Sequence, residues 1–434
     1  MVIKRDRYLQ QLIDKQLDGR IKIVTGIRRC GKSFLLNNLF RNHLVNAGVP
    51  DDQIIMIALD EKAFTRYRNP DELDNYVREI CADRSRQYYV LIDEIQMVES
   101  IQNPYLPDTP TERIGFVEVL LGLMKLPNVD LYVTGSNSHM LSTDIMTEFK
   151  DRGDEIHINP LTFDEFHSVY NGDPRLAWPE YIRYGGMPFV LTRKGHAEKA
   201  KYLQDLFSKT YITDVIERHQ LRNSQDILED LLNYLASSVG SLTNTTKLEN
   251  TFKTVKQQTI SHNTIGNYMN YFAEAYIISK AERYDIKGRK YIGALQKYFY
   301  TDPGLRNARL NFRQQEENHI MENILYNELC ARGFSVDVGV VEAMVTNAEG
   351  KRQRAQLEVD FVCQRDDERY YIQSALTVAD EAKRLQETNS LVRITDSFSK
   401  IVVVRDYILR SKDENGILYI GIEDFLLNYI NAMR

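Results

Sequence analysis

The chain has 434 residues, a length that suits about two to four domains. Apolar residues make up 43% and charged residues 27%, with only 11 prolines and 22 glycines, which excludes a largely disordered, collagen-like or low-complexity chain. Lys+Arg 55 against Asp+Glu 61 give a net charge of −6, so the chain as a whole is not a polybasic nucleic-acid binder, although one domain within it still could be.

The N-terminal segment has no apolar core of a secretory signal. The longest apolar runs, such as Ile54–Leu59 and Ile401–Val404, fall far short of the ~20 residues that span a bilayer. Cys30, Cys81, Cys330 and Cys363 form no CxxC pair, which argues against a zinc ribbon and a disulfide framework. The expectation is a cytoplasmic chain with no membrane partner.

In chain order, apolar runs at Lys22–Thr25, Ile54–Leu59, Tyr88–Ile92, Leu131–Thr134 and Ile156–Ile158 alternate with amphipathic stretches such as Phe34–Val45 and Phe116–Lys125. That alternation predicts a parallel α/β sheet. Asn103–Thr111 holds Pro104, Pro107 and Pro110 and reads as a loop after the third strand. Residues 161–285 read mostly helical, with Thr162 or Asp164 capping a helix just after Pro160. Ile265, Tyr268, Met269 and Phe272 share one helix face behind a cap at Ser261 or Asn263. The polar residues that open such a helix are those a helix-turn-helix presents to DNA. Strands at Ile277–Tyr284 and into Tyr298–Tyr300, about a turn at Gly288, would form a wing.

From Thr243 to Lys297, nine cations face four acids, a local excess of +5 in an acidic chain. This footprint favours nucleic acid, with double-stranded DNA the expected partner and packing within the chain the alternative. Residues 320–434 return to α/β style. A helix over His319–Arg332 is closed by Gly333, strands follow near Phe334–Val341, Glu358–Cys363, Tyr370–Ser374 and Ile401–Val404, and a helix over 379–391 sits between the last two.

Gly26-Ile27-Arg28-Arg29-Cys30-Gly31-Lys32-Ser33 fits GxxxxGK[ST] at every specified position, with a strand before it and a helix opening at Phe34. A triphosphate presents several anionic oxygens in a small volume. Glycines let backbone N–H groups turn inward on it, and the helix N-terminus adds partial positive charge. Residues 26–34 are therefore the expected ATP cradle. Lys32 is expected to reach the β/γ-phosphates and Ser33 to coordinate Mg²⁺. Arg28 and Arg29 contact phosphate or a neighbour, or lie on a solvated face, and Cys30 is a tolerated small residue.

Tyr88–Asp93 delivers Asp93 and Glu94 at a strand end about 60 residues later. In that setting Asp93 is the expected Mg²⁺ ligand and Glu94 the general base for water. The strand Leu131–Thr134 ends in Gly135-Ser136-Asn137, and a polar side chain there would sense the γ-phosphate, with Ser136 or Asn137 the candidates. Arg152, before the strand 155–158, is the candidate to stabilise transition-state charge, in cis or from a neighbouring subunit.

These residues resemble a large family of bacterial and archaeal ATPases that join an AAA-type P-loop domain to a C-terminal domain of unknown function. The likeness is carried by GIRRCGKS, by Leu91-Ile92-Asp93-Glu94-Ile95-Gln96, by Thr134-Gly135-Ser136-Asn137, and by Arg152 followed by Pro160-Leu161-Thr162-Phe163-Asp164-Glu165-Phe166. Tyr184-Gly185-Gly186-Met187-Pro188, Tyr300-Thr301-Asp302-Pro303-Gly304-Leu305 and Glu358-Val359-Asp360-Phe361 extend it along the chain. The resemblance implies ATP hydrolysis on an AAA/ASCE-type P-loop sheet and a winged helix in the middle. Glu322 on a helix, Asp360 on a strand and Gln373 on the next strand resemble the restriction-endonuclease-like superfamily. Ala375 stands where that superfamily has its lysine, so the expected C-terminal domain is nuclease-like and catalytically degenerate. The expected division is 1–160 ATPase, 161–225 helical lid, 226–305 winged helix and 306–434 nuclease-like domain. A nucleotide-gated switch with negligible turnover and an ATP-dependent nuclease are the alternatives, and a homo-oligomer or a protein partner is a further expectation.

Overall fold

Five of the apolar runs are strands of one sheet: β1 Ile21–Thr25, β2 Ile54–Ala58, β3 Tyr88–Asp93, β4 Val129–Thr134 and β5 Gly153–His157. Their order is β2-β3-β4-β1-β5, and every neighbouring pair is parallel. A parallel sheet covered on both faces needs continuous apolar strands, and β1 and β3 are buried at every residue. The exception inside β1 is Lys22, fully buried but held by Asp130 at 2.5 Å and Asp18 at 2.6 Å. β5 starts earlier than its apolar run, because Asp154 and Glu155 carry polar side chains on a sheet edge; Asp154 pairs with Arg20 at 2.9 Å. The insertion of β4 between β1 and β3 sets three strand ends side by side at the C-terminal edge of the sheet. Ligands of open α/β sheets bind at that edge.

The computed structural model describes residues 2–104, 106, 108–109, 112–135, 152–222, 224–313, 316–346 and 352–433. The expected loop over 103–111 lies partly outside them, and a two-residue ladder, Ile101–Gln102 with Arg113–Ile114, brackets it. The chain divides into two units. The first is Met1–Asn159 with Glu274–Tyr276, and the second is Pro160–Ala273 with Ile277–Arg434.

The second unit opens with helices. Thr162 is the N-cap of Phe163–Val169, and the Glu165 carboxylate accepts from the Thr162 N–H at 3.0 Å. Ser261 caps the helix His262–Glu274, its Oγ accepting from the Thr264 N–H at 3.1 Å, while Ile265, Tyr268, Met269 and Phe272 are buried along one face. An eight-stranded mixed sheet follows: β6 Ile278–Asp285, β7 Lys290–Tyr300, β8 Ser335–Thr346, β9 Arg352–Arg365, β10 Glu368–Ala375, β11 Ser399–Val404, β12 Ser411–Lys412 and β13 Leu418–Gly421. Its order is β12-β13-β11-β10-β9-β8-β6-β7. The hairpin β6–β7 is thus no free-standing wing: β6 pairs parallel with β8 through Arg283, Tyr284 and Asp285 and extends the C-terminal sheet.

Three distant sequence signatures meet in this unit. Asp302, 1% exposed, accepts from the Gly186 N–H at 2.6 Å and the Leu305 N–H at 2.9 Å. A side chain at Gly304 would place Cβ 2.0 Å from the Tyr184 carbonyl oxygen, and one at Gly186 would sit 2.1 Å from that of Leu161. The glycines are required by backbone contact. Glu328, on the helix Glu317–Ala331, accepts from the Phe163 N–H at 2.6 Å and pairs with Arg332, which also reaches Asp164 at 3.3 Å.

Candidate functional site

The turn after β1 wraps around its own lysine. Gly26 and Gly31 have φ of +138° and +108°, and Arg29 is left-handed at +71°. A Cβ at Gly26 would lie 2.2 Å from the Ile158 carbonyl oxygen, so that position tolerates no side chain. Lys32 is 4% exposed, and its Nζ donates to the carbonyls of Gly26 at 2.9 Å and Ile27 at 3.2 Å. Ile27 and Cys30 are buried, and the Cys30 thiol donates to the Ile158 carbonyl at 3.4 Å. Arg28, Arg29 and Phe34 are exposed. Arg5 reaches this loop from the N-terminal segment, donating to the Cys30 carbonyl at 3.4 Å and to the Asn159 carbonyl at 2.6 Å.

Asp93, at the end of β3, is brought to the loop. Its Oδ1 accepts from the Ser33 hydroxyl at 3.1 Å, and its Oδ2 accepts from the Asn37 amide at 3.3 Å. The Thr134 hydroxyl, at the end of β4, also donates to Asp93. The same hydroxyl accepts from the Glu94 N–H at 3.0 Å, so one side chain ties both acidic residues to the neighbouring strand. Burial raises the Asp93 pKa above the usual carboxylate range; the Thr134 and Ser33 hydrogen bonds oppose that, and Glu94 adds to it. Glu94 takes a left-handed backbone, φ +56°, and its carboxylate accepts from Gln96. That turn redirects the chain as the strand ends.

His157, at the end of β5, has its pKa lowered to about 4 by burial and by the charge of Lys32, so it is neutral at pH 7. Thr25 links it to Glu155, at 3.2 Å from His157 Nδ1 and 2.6 Å from Glu155 Oε1. Asn37 and His157 were not singled out in the sequence, and Thr134 and Gln96 stood there only within the family signatures, with no role of their own. Thr134 was the legible one, as the polar end of an apolar strand.

Ser136 and Asn137 lie outside the described residues. Arg152 is exposed, and the structure does not bring it to the loop. Its carbonyl accepts from the Ile21 N–H, at the start of β1, whereas the loop follows the end of that strand. Five residues of extended strand separate it from His157, about 16 Å.

A second polar cluster lies in the other unit. Lys297 of β7, only 3% exposed, stands 2.6 Å from Glu322 and 2.6 Å from Glu358. Asp360 adds a third carboxylate and accepts from the Ser374 N–H at 2.8 Å. These three acids hold the lysine charged, and its pKa is raised despite burial. Burial raises Asp360 to about 6, and it raises Glu322 to about 8 against the opposing pull of Lys297. A cavity of about 340 Å³ opens beside them, lined by Glu322, Asp360, Gln373, Ala375, Lys383 and Glu387 among others. Among the described residues, no group of three or more His, Cys, Asp or Glu has metal-binding geometry. Lys297 reaches this cluster from a strand about 75 residues before Ala375, which no local pattern signals.

A family described as an AAA domain matches residues 18–167, and a domain of unknown function (DUF8612) matches residues 175–316. An uncharacterized protein of Haemophilus influenzae is 31% identical over 431 residues, covering 98% of this chain and 99% of that relative. The chain belongs to the same family as that protein. An uncharacterized protein of Methanocaldococcus jannaschii is 26% identical, over 77% of this chain and 72% of its own length. A Walker-type ATPase of Pyrococcus abyssi aligns in structure with a TM-score of 0.48 and 15% identity, covering 71% of this chain and 96% of its own. Residues 18–167 thus carry an AAA-type domain, by that family match, and the first unit has an α/β fold. No helix among the described residues is long and apolar enough to cross a membrane.

Proposed function

We propose that the chain is a Mg²⁺-dependent ATPase of AAA type that associates with double-stranded DNA. The observation that carries this reading is the convergence of Lys32, Ser33 and Asp93 at the C-terminal edge of the sheet, with Ser33 Oγ 3.1 Å from the Asp93 carboxylate. A hydroxyl and a carboxylate are hard oxygen donors of the kind Mg²⁺ takes, so Ser33 and Asp93 would hold it. When bound, Mg²⁺ neutralises charge on the phosphates. Gly26 to Phe34 supply inward backbone N–H groups, and Lys32 exchanges its loop carbonyls for phosphate oxygens. Glu94, oriented by Gln96 and by the Thr134 bond to its N–H, accepts the proton of the attacking water. Ser136 and Asn137 follow Thr134 directly and remain the candidates to sense the γ-phosphate. The position of Arg152 at the opposite edge of the sheet favours action on a neighbouring copy, and hence a homo-oligomer. The proposed division keeps 1–160 as ATPase, 161–225 as lid, 226–305 as a winged-helix segment whose β6–β7 hairpin is continuous with the C-terminal sheet, and 306–434 as the nuclease-like part.

The test is steady-state phosphate release from ATP with Mg²⁺, for wild type and Glu94→Gln, with and without duplex DNA. Loss of a general base lowers turnover by about 10²–10⁴-fold, with ATP binding retained. Stimulation by duplex makes DNA the effector. Binding without turnover in any condition would replace the ATPase with the nucleotide-gated switch.

A second reading, an ATP-dependent nuclease, is favoured by Lys297, which stands among Glu322, Glu358 and Asp360 where Ala375 offers no cation. It requires Mg²⁺-dependent cleavage of plasmid DNA that is lost in Asp360→Ala.

A further inference from the structure

Strands β8 and β9 run further than the sheet that holds them. They pair with each other from Ser335↔Gln364 to Thr346↔Arg352. On one side, β6 accompanies β8 only at Val338–Val340. On the other, β10 accompanies β9 only at Phe361–Arg365. Between these limits and residues 346 and 352, the pair continues as a two-stranded ribbon with no third strand among the described residues. Isolated ribbons are marginal in water, so this one needs support or a partner.

The period of two sorts its faces. Val341 is paired with Leu357 and Ala343 with Ala355, which makes an apolar face on which Val341 and Ala343 are buried. The opposite face carries Glu342 paired with Gln356 and Met344 paired with Arg354, with Arg352 two residues on. Met344 is 54% exposed, and Arg352 and Arg354 are exposed.

The turn of the hairpin β6–β7 lies against the same ribbon. Ile286 N–H donates to the Val340 carbonyl at 3.0 Å, and Lys287 Nζ reaches the Glu342 carbonyl at 3.5 Å. Arg283 donates to Gln356 at 2.9 Å. Lys287, Arg289 and Lys290 are all exposed. Among the described residues, Lys287, Arg289, Lys290, Arg352 and Arg354 have no salt-bridge partner. Among the acids on these strands, Glu282 is engaged by Lys280 at 2.8 Å, Asp285 accepts from the Gly288 N–H at 2.9 Å, Asp337 accepts from the Tyr291 hydroxyl at 3.1 Å and Glu358 pairs with Lys297, while Glu342 is exposed on the face that carries Arg354.

We infer that the ribbon and the adjoining turn form one docking face for the phosphate backbone of a DNA duplex. Five exposed cations with no salt-bridge partner among the described residues, concentrated on two hairpins of an acidic chain, are complementary to a polyanion. A two-stranded ribbon is also narrow enough to enter a major groove. The inference rests on the DNA reading above and extends it from the helix His262–Glu274 to a surface that the C-terminal sheet supplies.

The experiment is fluorescence anisotropy of a labelled duplex of mixed sequence, titrated with the full-length chain over a series of salt concentrations. Arg352→Gln/Arg354→Gln removes two cations from exposed positions, and thermal melts by circular dichroism check its fold. The slope of log K against log salt becomes shallower by about 2, and affinity falls alike for every sequence. Arg352→Lys/Arg354→Lys keeps the wild-type slope. Wild-type affinity and slope in the glutamine variant would overturn the docking face while leaving the DNA reading intact. A wild-type chain with no salt-sensitive duplex binding would remove both.

Discussion

Replacing Lys297 by methionine keeps the stem and deletes the charge. The ammonium stands 2.6 Å from both Glu322 and Glu358. At an effective dielectric of ~20, each contact corresponds to about 6 kcal/mol of Coulomb attraction. Desolvation offsets most of that, and the Glu358 pair counts for less because its side chain is 36% exposed. Above the Glu322 pKa of about 8, what remains is the cost of a buried carboxylate without its partner, about 3–5 kcal/mol. The loss depends on pH. The Glu322 pKa is raised to about 8, so the folded chain holds a proton that the unfolded chain releases, and stability falls as pH rises toward that value. Without Lys297 the pKa rises further, so Lys297→Met costs more at pH 9 than at pH 6. Urea unfolding read by Trp178 reports on this unit alone, because that tryptophan is the chain's only one and is buried there. Lys297→Met/Glu322→Gln recovers part of the loss. A loss under about 1 kcal/mol with no pH dependence would refute the charge argument.

Asp302→Ala leaves two buried N–H groups, of Gly186 and Leu305, without an acceptor, and costs about 2–5 kcal/mol in the same Trp178 unfolding assay. Burial raises Asp302 from 3.8 to about 6, so the protonation-linked part of its stability falls as pH rises between those values and is gone above 6, and Asp302→Asn removes that slope. Gly26→Ala forces a Cβ into the Ile158 carbonyl at a φ of +138°, and calorimetric titration then shows ATP binding weakened at least about tenfold. Thr134→Val deletes the hydroxyl that joins Asp93 to the Glu94 N–H, so phosphate release falls about tenfold or more while Thr134→Ser keeps it.

The first unit was legible almost strand by strand. Its central strands are buried on both faces and therefore read as unbroken apolar runs, and four of the five strands lie within two residues of their expected bounds. β5 was blurred by Asp154 and Glu155, because an edge strand can carry polar side chains. In the second unit, the cap on His262–Glu274 and the turn at Gly288 were local and readable. The joining of β6 to β8 was not, because strand pairing between distant segments leaves no periodic mark on either one.

By itself, the sequence determined what depends on neighbours in the chain. The loop from Gly26 to Ser33 is contiguous, and its glycines and lysine are needed at fixed spacing, so its chemistry could be read directly. The acidic end of β3 could be read the same way. Only the tertiary structure decided what meets across the chain. Strand order set Thr134 beside Asp93 and sent Arg152 to the far edge of its sheet. Sheet register carried Lys297 into the acids around Glu322 and left the β8–β9 ribbon projecting with Arg352 and Arg354. The physical reason is that a sheet is organised by burial over its whole surface, so a side chain's partners follow from where its strand lies in the sheet.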